Sequence, residues 1–311
     1  MLLKHLQNVS PFRGMPVDDK GSSSSITTVT GETVQLYYNS SGTLTSDAGE
    51  AATGTVGHLL SSIGEMAPAA IDLIAEIDSE DFYDFQVNRP LILIDESMVR
   101  KLTWPGVQIF AVRNPLGDRD FILVRGVEPS MRWRSFATEL LDFADDLEVS
   151  LVISLGSMLA DTPHTRPIPV SGTGAHPDIA AKLGVEVSRY EGPTGILAVI
   201  QDGCVRRGID AVALWAALPH YANGTPSPKA ILALVNALED FLSISLPQGE
   251  LPKESREWEV AVDQMTSEDS DIVEYIKGLE ESKDAQAISD DGGEELAKEV
   301  ERFLRRHNSS D

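Results

Sequence analysis

Between residues 69 and 218 the chain carries short runs that are apolar almost throughout. They are AAIDLIAEI (69–77), PLILIDES (90–97), GVQIFAVR (106–113), DFILVRG (120–126), VSLVISLG (149–156) and AVALWAAL (211–218). Runs of this length and texture predict strands, several of them buried on both faces. TVQLYY, from Thr33, is a further candidate. Other stretches change period. SMRWRSFATELLDFADDL (130–147) sets Trp133, Phe136, Leu140, Leu141 and Ala144 on one helical stripe, with Ser130 as its cap. PTGILAVIQDGCVRRG (193–208) and SPKAILALVNALEDFL (227–242) repeat the texture, and Pro228 suits a first helical turn. Strands alternating with helices predict an α/β sheet covered by helices on both faces.

The pattern weakens at both ends. Residues 1–32 include the polar, Ser-rich DDKGSSSSITT and read as a flexible lead-in. The ordered core is expected over 33–249. Residues 250–311 hold 19 acidic and 8 basic side chains. Two amphipathic helices are expected there. One includes Trp258, Val262, Met265, Ile272, Tyr275, Ile276 and Leu279, the other Leu296, Val300, Phe303 and Leu304, with SKDAQAISDDGGEE as the linker. Their apolar stripes need a surface to cover.

Charge narrows the function. The net charge of −24 over 311 residues repels phosphate backbones and anionic membrane surfaces, so neither nucleic acid nor membrane is an expected partner. One cysteine, Cys204, excludes an internal disulfide and falls in a helical pattern, where a buried, inert thiol is the default. The first residues lack a continuous apolar run, and no stretch is long enough to span a bilayer. A cytoplasmic location is expected. Six scattered histidines, no HExxH and no Walker sequence give no expected metal or cofactor.

Seven short motifs occur in a telling order: DAGEAATG (47–54), EDFYDFQVNRP (80–90), TWP (103–105), GVEPSMRWRSF (126–136), DTPHTRPIPVSGTG (161–174), YEGPTGILAVI (190–200) and LPHYANGTPSPKAILALV (218–235). Together they resemble the PAC2 family, named for a proteasome assembly chaperone, and within it the actinobacterial branch, over roughly residues 35–245. The resemblance implies a fold similar to purine nucleoside phosphorylases and some hydrolases, a mixed sheet flanked by helices. It also implies homo-oligomers, commonly trimers, and a C-terminal helical region covering a ligand cleft. The segment 250–311 stands where that lid belongs. The family supplies no established reaction, and its eukaryotic relatives act by binding. One departure is QLYYNSSGTLTSDAG, longer and more polar than the apolar strand that usually precedes DAG, which puts a site role for Asp47 in question.

The candidate chemistry gathers after two of the expected strands, at the sheet edge where open α/β folds bind ligands. Ser157 stands in SLGSML rather than in a nucleophile elbow, so it is a poor nucleophile candidate. In TPHTRP, two prolines stiffen a loop bearing His164, Thr165 and Arg166. His164 can donate or accept, and the Arg166 guanidinium offers a fixed fork to a carboxylate or phosphate. The bland alternative has Arg166 paired with Asp84 or Glu128 and His164 capping a loop. His220 and Tyr221, after the next strand, are candidates for the same polar cleft, with Glu128 as base or anchor. Asn223 and Lys229 are weaker ones. Asp84 and Arg89 are read as structural, and their neighbours Phe82, Tyr83 and Phe85 as core or subunit contact.

Two functions follow. One is a homo-oligomeric binding or assembly protein with a protein partner. The other is a hydrolase or transferase acting on a small anionic substrate. Convergence of His164, Arg166 and His220 in one enclosed pocket would favour the second.

Overall fold

The structure, a computed structural model, describes residues 34–37, 47–95, 97–116, 120–222, 226–289 and 301–302. The lead-in 1–32, Asn223, and the expected helix carrying Leu296 and Phe303 lie outside the described residues, as does the polar stretch 38–46.

An eight-stranded mixed sheet forms the centre. Its strands are β1 (Val34–Tyr37), β2 (Ile71–Ile77), β5 (Val107–Val112), β6 (Phe121–Gly126), β7 (Leu151–Ala160), β8 (Val170–Gly174), β9 (Glu186–Val187) and β10 (Asp210–Pro219), and their order is β2-β5-β6-β1-β7-β10-β8-β9. The middle four, β6, β1, β7 and β10, are parallel, and antiparallel pairs flank them. Apolar texture follows position. β6 and β10 are buried along most of their length, whereas the edge strand β2 is buried only at Ile74 and Ile77. Gly156 faces Trp215 across the β7–β10 pair, and a Cβ there would lie 2.6 Å from the indole.

Helices cover both faces. On one side α1 (Ala51–Met66) and α5 (Pro228–Leu242) bury Leu59, Ile63, Leu234 and Leu238 against Leu123, Ile153 and Leu214. On the other, α2 (Trp133–Asp146) and α4 (Ile196–Arg207) bury Phe136, Leu140 and Ile200 against Val124 and Val152. A short α3 (Pro177–Leu183) joins β8 to β9. Ser227 caps α5 by accepting from the Ala230 N–H, with Pro228 next to it in the first turn. The residue before α2 is Arg132, which makes no side-chain cap, and the expected cap Ser130, three residues before Trp133, donates its hydroxyl to Asn88 instead.

Three expectations change. The run 90–97 is not a buried strand. Its β3 (Leu91–Ile94) pairs with β4 (Arg100–Thr103) in a separate two-stranded ribbon, and all eight residues are exposed. Apolar texture cannot distinguish a strand covered by its own chain from one left bare. The C-terminal stripe from Trp258 to Leu279 is broken at Ser267–Asp269 into α6 (Leu251–Thr266) and α7 (Ser270–Ser289), so much of the expected linker is helical. Finally, β7 continues to Ala160, which puts Ser157 inside a strand.

Among the described residues, no helix is long and apolar enough to cross a membrane.

Candidate functional site

β7 and β10 run in parallel and end together at Ala160 and Pro219. The segments leaving them therefore emerge side by side. One is the loop Asp161–Pro167, the other the short turn His220–Ala222. Helix α5 starts beneath them and α6 packs along α5. Trp258 and Val262 of α6 are buried with Ala222, and Tyr221 packs against them. This apolar contact seats the C-terminal helices on the loop.

His164 is 1% exposed. Its backbone N–H donates to the Tyr221 hydroxyl at 2.9 Å, and its Nδ1 lies 3.0 Å from the same oxygen. Nε2 lies 2.9 Å from Asp263 Oδ1 of α6. The hydrogen-bond inventory favours one arrangement. Tyr221 accepts from the backbone and gives its own proton to Nδ1, and the imidazole carries its proton on Nε2, towards Asp263. Burial, with Tyr275, Glu280 and Asp263 nearby, pushes the Tyr221 phenol up to about 12, so it stays protonated.

The neighbouring donors also meet carboxylates of the C-terminal helices. Arg166 makes a two-pronged contact with Asp284, Nε to Oδ1 and Nη2 to Oδ2, each 2.8 Å, and approaches Glu280 at 3.4 Å. The Asp284 hydrogen bond raises the guanidinium pKa and lowers that of the carboxyl. Thr165 donates to Glu280. Lys229, in the first turn of α5, donates to the His164 carbonyl and to Glu259 of α6, the latter at 2.5 Å. The Tyr275 hydroxyl of α7 donates to Asp161 at 2.7 Å.

The sequence candidates thus divide. His164, Thr165, Arg166 and Tyr221 are brought together, and Lys229 joins them. His220 sits at the rim, its side chain half exposed, with Nε2 3.7 Å from Asp161. Glu128 does other work. Its Oε1 accepts from the Ile196 N–H at 2.8 Å, which caps α4 on the opposite face of the sheet. Arg166 pairs with neither Asp84 nor Glu128. Asp84 accepts from the Gln86 N–H within its own turn. The partners that sequence reasoning missed are Glu259, Asp263, Glu280 and Asp284. The signals for them were the acidic excess after residue 250 and the spacing of Glu280 and Asp284, four apart on one helical face.

This geometry holds groups in place. Both His164 nitrogens are occupied. The buried Ser157 hydroxyl gives its proton to the Ala48 carbonyl at 2.9 Å rather than to a side-chain base. Asp47 caps α1 instead, its Oδ1 accepting from the Ala52 N–H at 2.7 Å and its Oδ2 from the Thr53 hydroxyl, while burial raises its pKa. Between cap and helix, Gly49 adopts φ +58°, and a Cβ there would lie 2.6 Å from Leu218. Burial also pushes the Cys204 thiol up to about 12, well away from a reactive thiolate. Among the described residues, no three His, Cys, Asp or Glu side chains gather as metal ligands.

The PAC2 family model matches residues 45–266. A PAC2 family protein from Streptomyces avermitilis is 47% identical, with a TM-score of 0.71, over 78% of this chain and 99% of that one. A proteasome-assembly chaperone homologue from Mycobacterium tuberculosis is 44% identical, with a TM-score of 0.69, over 78% and 99%. An archaeal proteasome activator from Pyrococcus furiosus is 18% identical, with a TM-score of 0.56, over 75% and 93%, and shares the fold alone. No curated protein matches the chain.

Proposed function

The chain belongs to the PAC2 family, and on that premise we propose that it is a homo-oligomeric protein-assembly factor with a chaperone-like role. The observation that carries this reading is the closure of the polar loop from within. His164, Thr165, Arg166 and Lys229 are each met by a carboxylate of α6 or α7, so none of these four stands free as a nucleophile or base. Work done by this protein then falls to its outer surface. The family likeness adds three finer elements to the proposal: a fold of the phosphorylase/hydrolase type, three copies per particle, and residence in the cytoplasm. The Mycobacterium relative is described as a homologue of a proteasome-assembly chaperone, which makes proteasome core subunits the first partner to try.

The test mixes the purified chain with unassembled core subunits and follows particle formation by native mass spectrometry. The expected result is a complex with assembly intermediates and a faster rise of complete particles. No complex together with an unchanged rate would overturn the reading.

A second reading rests on one observation. Donors of the kind that bind anions, Arg166, Lys229 and Thr165, converge on one patch. A small anionic ligand or substrate would have to displace the α6 and α7 carboxylates to reach them. Thermal-shift measurements against nucleotides, sugar phosphates and small carboxylates separate the two. A rise with one class, abolished by His164→Ala and by Arg166→Ala, would favour the ligand reading.

A further inference from the structure

The two C-terminal helices are held by different means. α6 buries Leu251, Trp258 and Val262. In α7, Ile276 is the one large apolar side chain that is buried among the described residues, and Val273 and Tyr275 stand exposed. What fastens α7 is a row of polar contacts to the loop Asp161–Pro167. Tyr275 donates to Asp161, Glu280 accepts from Thr165, and Asp284 takes the two-pronged contact from Arg166. Ile276, Glu280 and Asp284 recur every four residues and so share one stripe, with Tyr275 beside it. The Arg166 side chain is 33% exposed and that of Asp284 54%, so water and salt screen their attraction. The turn Ser267–Asp269, which joins α7 to α6, is exposed as well. A helix with little apolar burial and screened ion pairs belongs to the low-stability end of a structure and opens at small cost.

We propose that α7 is an internal stand-in for a partner. The surface it covers, built on Asp161, Thr165 and Arg166, is a docking site for an acidic helix of another protein, which enters when α7 swings away about Ser267–Asp269. This rests on the protein-assembly reading above and deepens it by naming where a partner docks and what it must carry. α7 supplies the template: an apolar residue, carboxylates four and eight positions later, and a hydrogen-bond donor for Asp161. The span argues for a helix rather than a small ion. From Tyr275 to Asp284 the contacts run along about 14 Å of helix, which no small anion bridges. Charge argues for an acidic one. A neutral or basic segment would leave the Arg166 fork without the planar acceptor it now has. Meanwhile His164 and Lys229 stay tied to Asp263 and Glu259 of α6, so α6 remains as a fixed wall of the site. Competition within the chain then regulates docking, because an incoming helix meets an open surface only for the fraction of time that α7 is away.

The test uses the full chain and a fluorescent peptide of residues 270–289, followed by anisotropy. Glu280→Ala with Asp284→Ala in the chain removes the claims of α7 on Thr165 and Arg166. All three polar side chains are partly exposed, so circular dichroism melts should stay close to wild type, while hydrogen exchange should quicken in α7 and not in α6. The peptide should bind this opened chain about tenfold or more tightly than wild type. Peptide and chain are both acidic, so bulk attraction does not account for binding. Adding Arg166→Glu to the opened chain should abolish it. A peptide carrying Glu280→Lys and Asp284→Lys should prefer the Arg166→Glu chain to the one that keeps Arg166. No binding to a chain whose α7 exchanges freely would overturn the docking site. Equal binding to wild type and opened chain, or α7 protection unchanged by the double substitution, would overturn its role as a stand-in. The assay contains no core subunits, so its failure leaves the assembly reading to its own test. Peptide binding without any complex with core subunits would overturn that reading and keep the docking site.

Discussion

The loop Asp161–Pro167 and the β3–β4 ribbon are opposites. Every polar group that was conspicuous in the loop sequence has found a partner in its own chain: His164 with Asp263 and Tyr221, Arg166 with Asp284, Lys229 with Glu259. In the ribbon, only the turn is fastened, by the Asp95 carboxylate accepting from the Ser97 and Val99 N–H groups. Its leucines and isoleucines stay exposed and its two cations unpaired among the described residues. A region rich in chemistry is not for that reason a working site, because its groups can serve to fasten one part of the fold to another. The ribbon, without any catalytic residue type, is where the chain remains unsatisfied, and unsatisfied surface is what a partner completes.

The strongest way to break this contrast is to unseat α6. Trp258 is 7% exposed and packs with Ala222, Val262 and Tyr221. Trp258→Ala should cost about 3–5 kcal/mol at that contact. Hydrogen exchange should quicken across α6 and α7 and leave β7 and β10 protected. The loop would then resemble the ribbon, its donors free. Uniform loss of protection over the whole sheet would show instead that the C-terminal helices and the core unfold as one.

Lys229→Met should have the next largest effect. The ammonium is largely buried between the His164 carbonyl and Glu259. Its removal strips a partner from each and should cost about 1–3 kcal/mol. Chemical denaturation measures this, and Lys229→Arg should restore part of it. A neutral outcome would mean that solvent reaches both acceptors readily and that the loop is less sealed than its contacts indicate.

Much of the fold was legible in the sequence because burial leaves a pattern. β5, β6, β7 and β10, with α2, α4 and α5, coincide with the apolar runs and stripes. The short β4, β8 and β9 were not legible. RKLT is polar, VSGTG is glycine-rich, and EV is two residues long, so none carries a period. The loop residues were picked out by type, and the structure brings His164, Thr165, Arg166 and Tyr221 together. Their partners on the acidic helices lie 99 to 118 residues away in sequence, where no local rule distinguishes Asp284 from Glu281. Glu128 was misplaced for a similar reason. Its carboxylate at a strand-to-helix junction suggested a base or an anchor for Arg166, while the orphan N–H of Ile196 at a helix start was the stronger claim.

Arg166→Ala tests the outermost fastening, and its effect should be confined. The side chain is partly exposed and Asp284 more so, so solvent screens the pair and the global melting temperature should barely move. Protection of the α7 amides near Asp284 should fall. Acid should imitate the substitution only at low pH. The folded state lowers the Asp284 pKa, so its contribution is present above the ordinary aspartate range and is lost as pH falls through the lowered value. Exchange followed from pH 7 downwards should therefore show α7 loosening only below the ordinary range. Loosening already in mildly acidic solution would assign the fastening to another group.

The smallest expected change in folding stability belongs to the ribbon, and it sharpens the comparison most. Ile92→Ser with Ile94→Ser removes two large apolar side chains. In a core, such a pair would cost several kcal/mol. Here both are more than half exposed, so the stability of the single chain should stay within about 0.5 kcal/mol of wild type. Denaturation must be measured at concentrations low enough to dissociate any oligomer, since an assembled wild type gains stability by mass action that the variant lacks. The two proteins should then have equal midpoints when dilute and diverge as concentration rises. Equal midpoints at every concentration would mean that Ile92 and Ile94 touch nothing in the assembly. A lower midpoint for the variant even when dilute would mean that these side chains pack against their own chain, and the ribbon would lose its standing as the unsatisfied region.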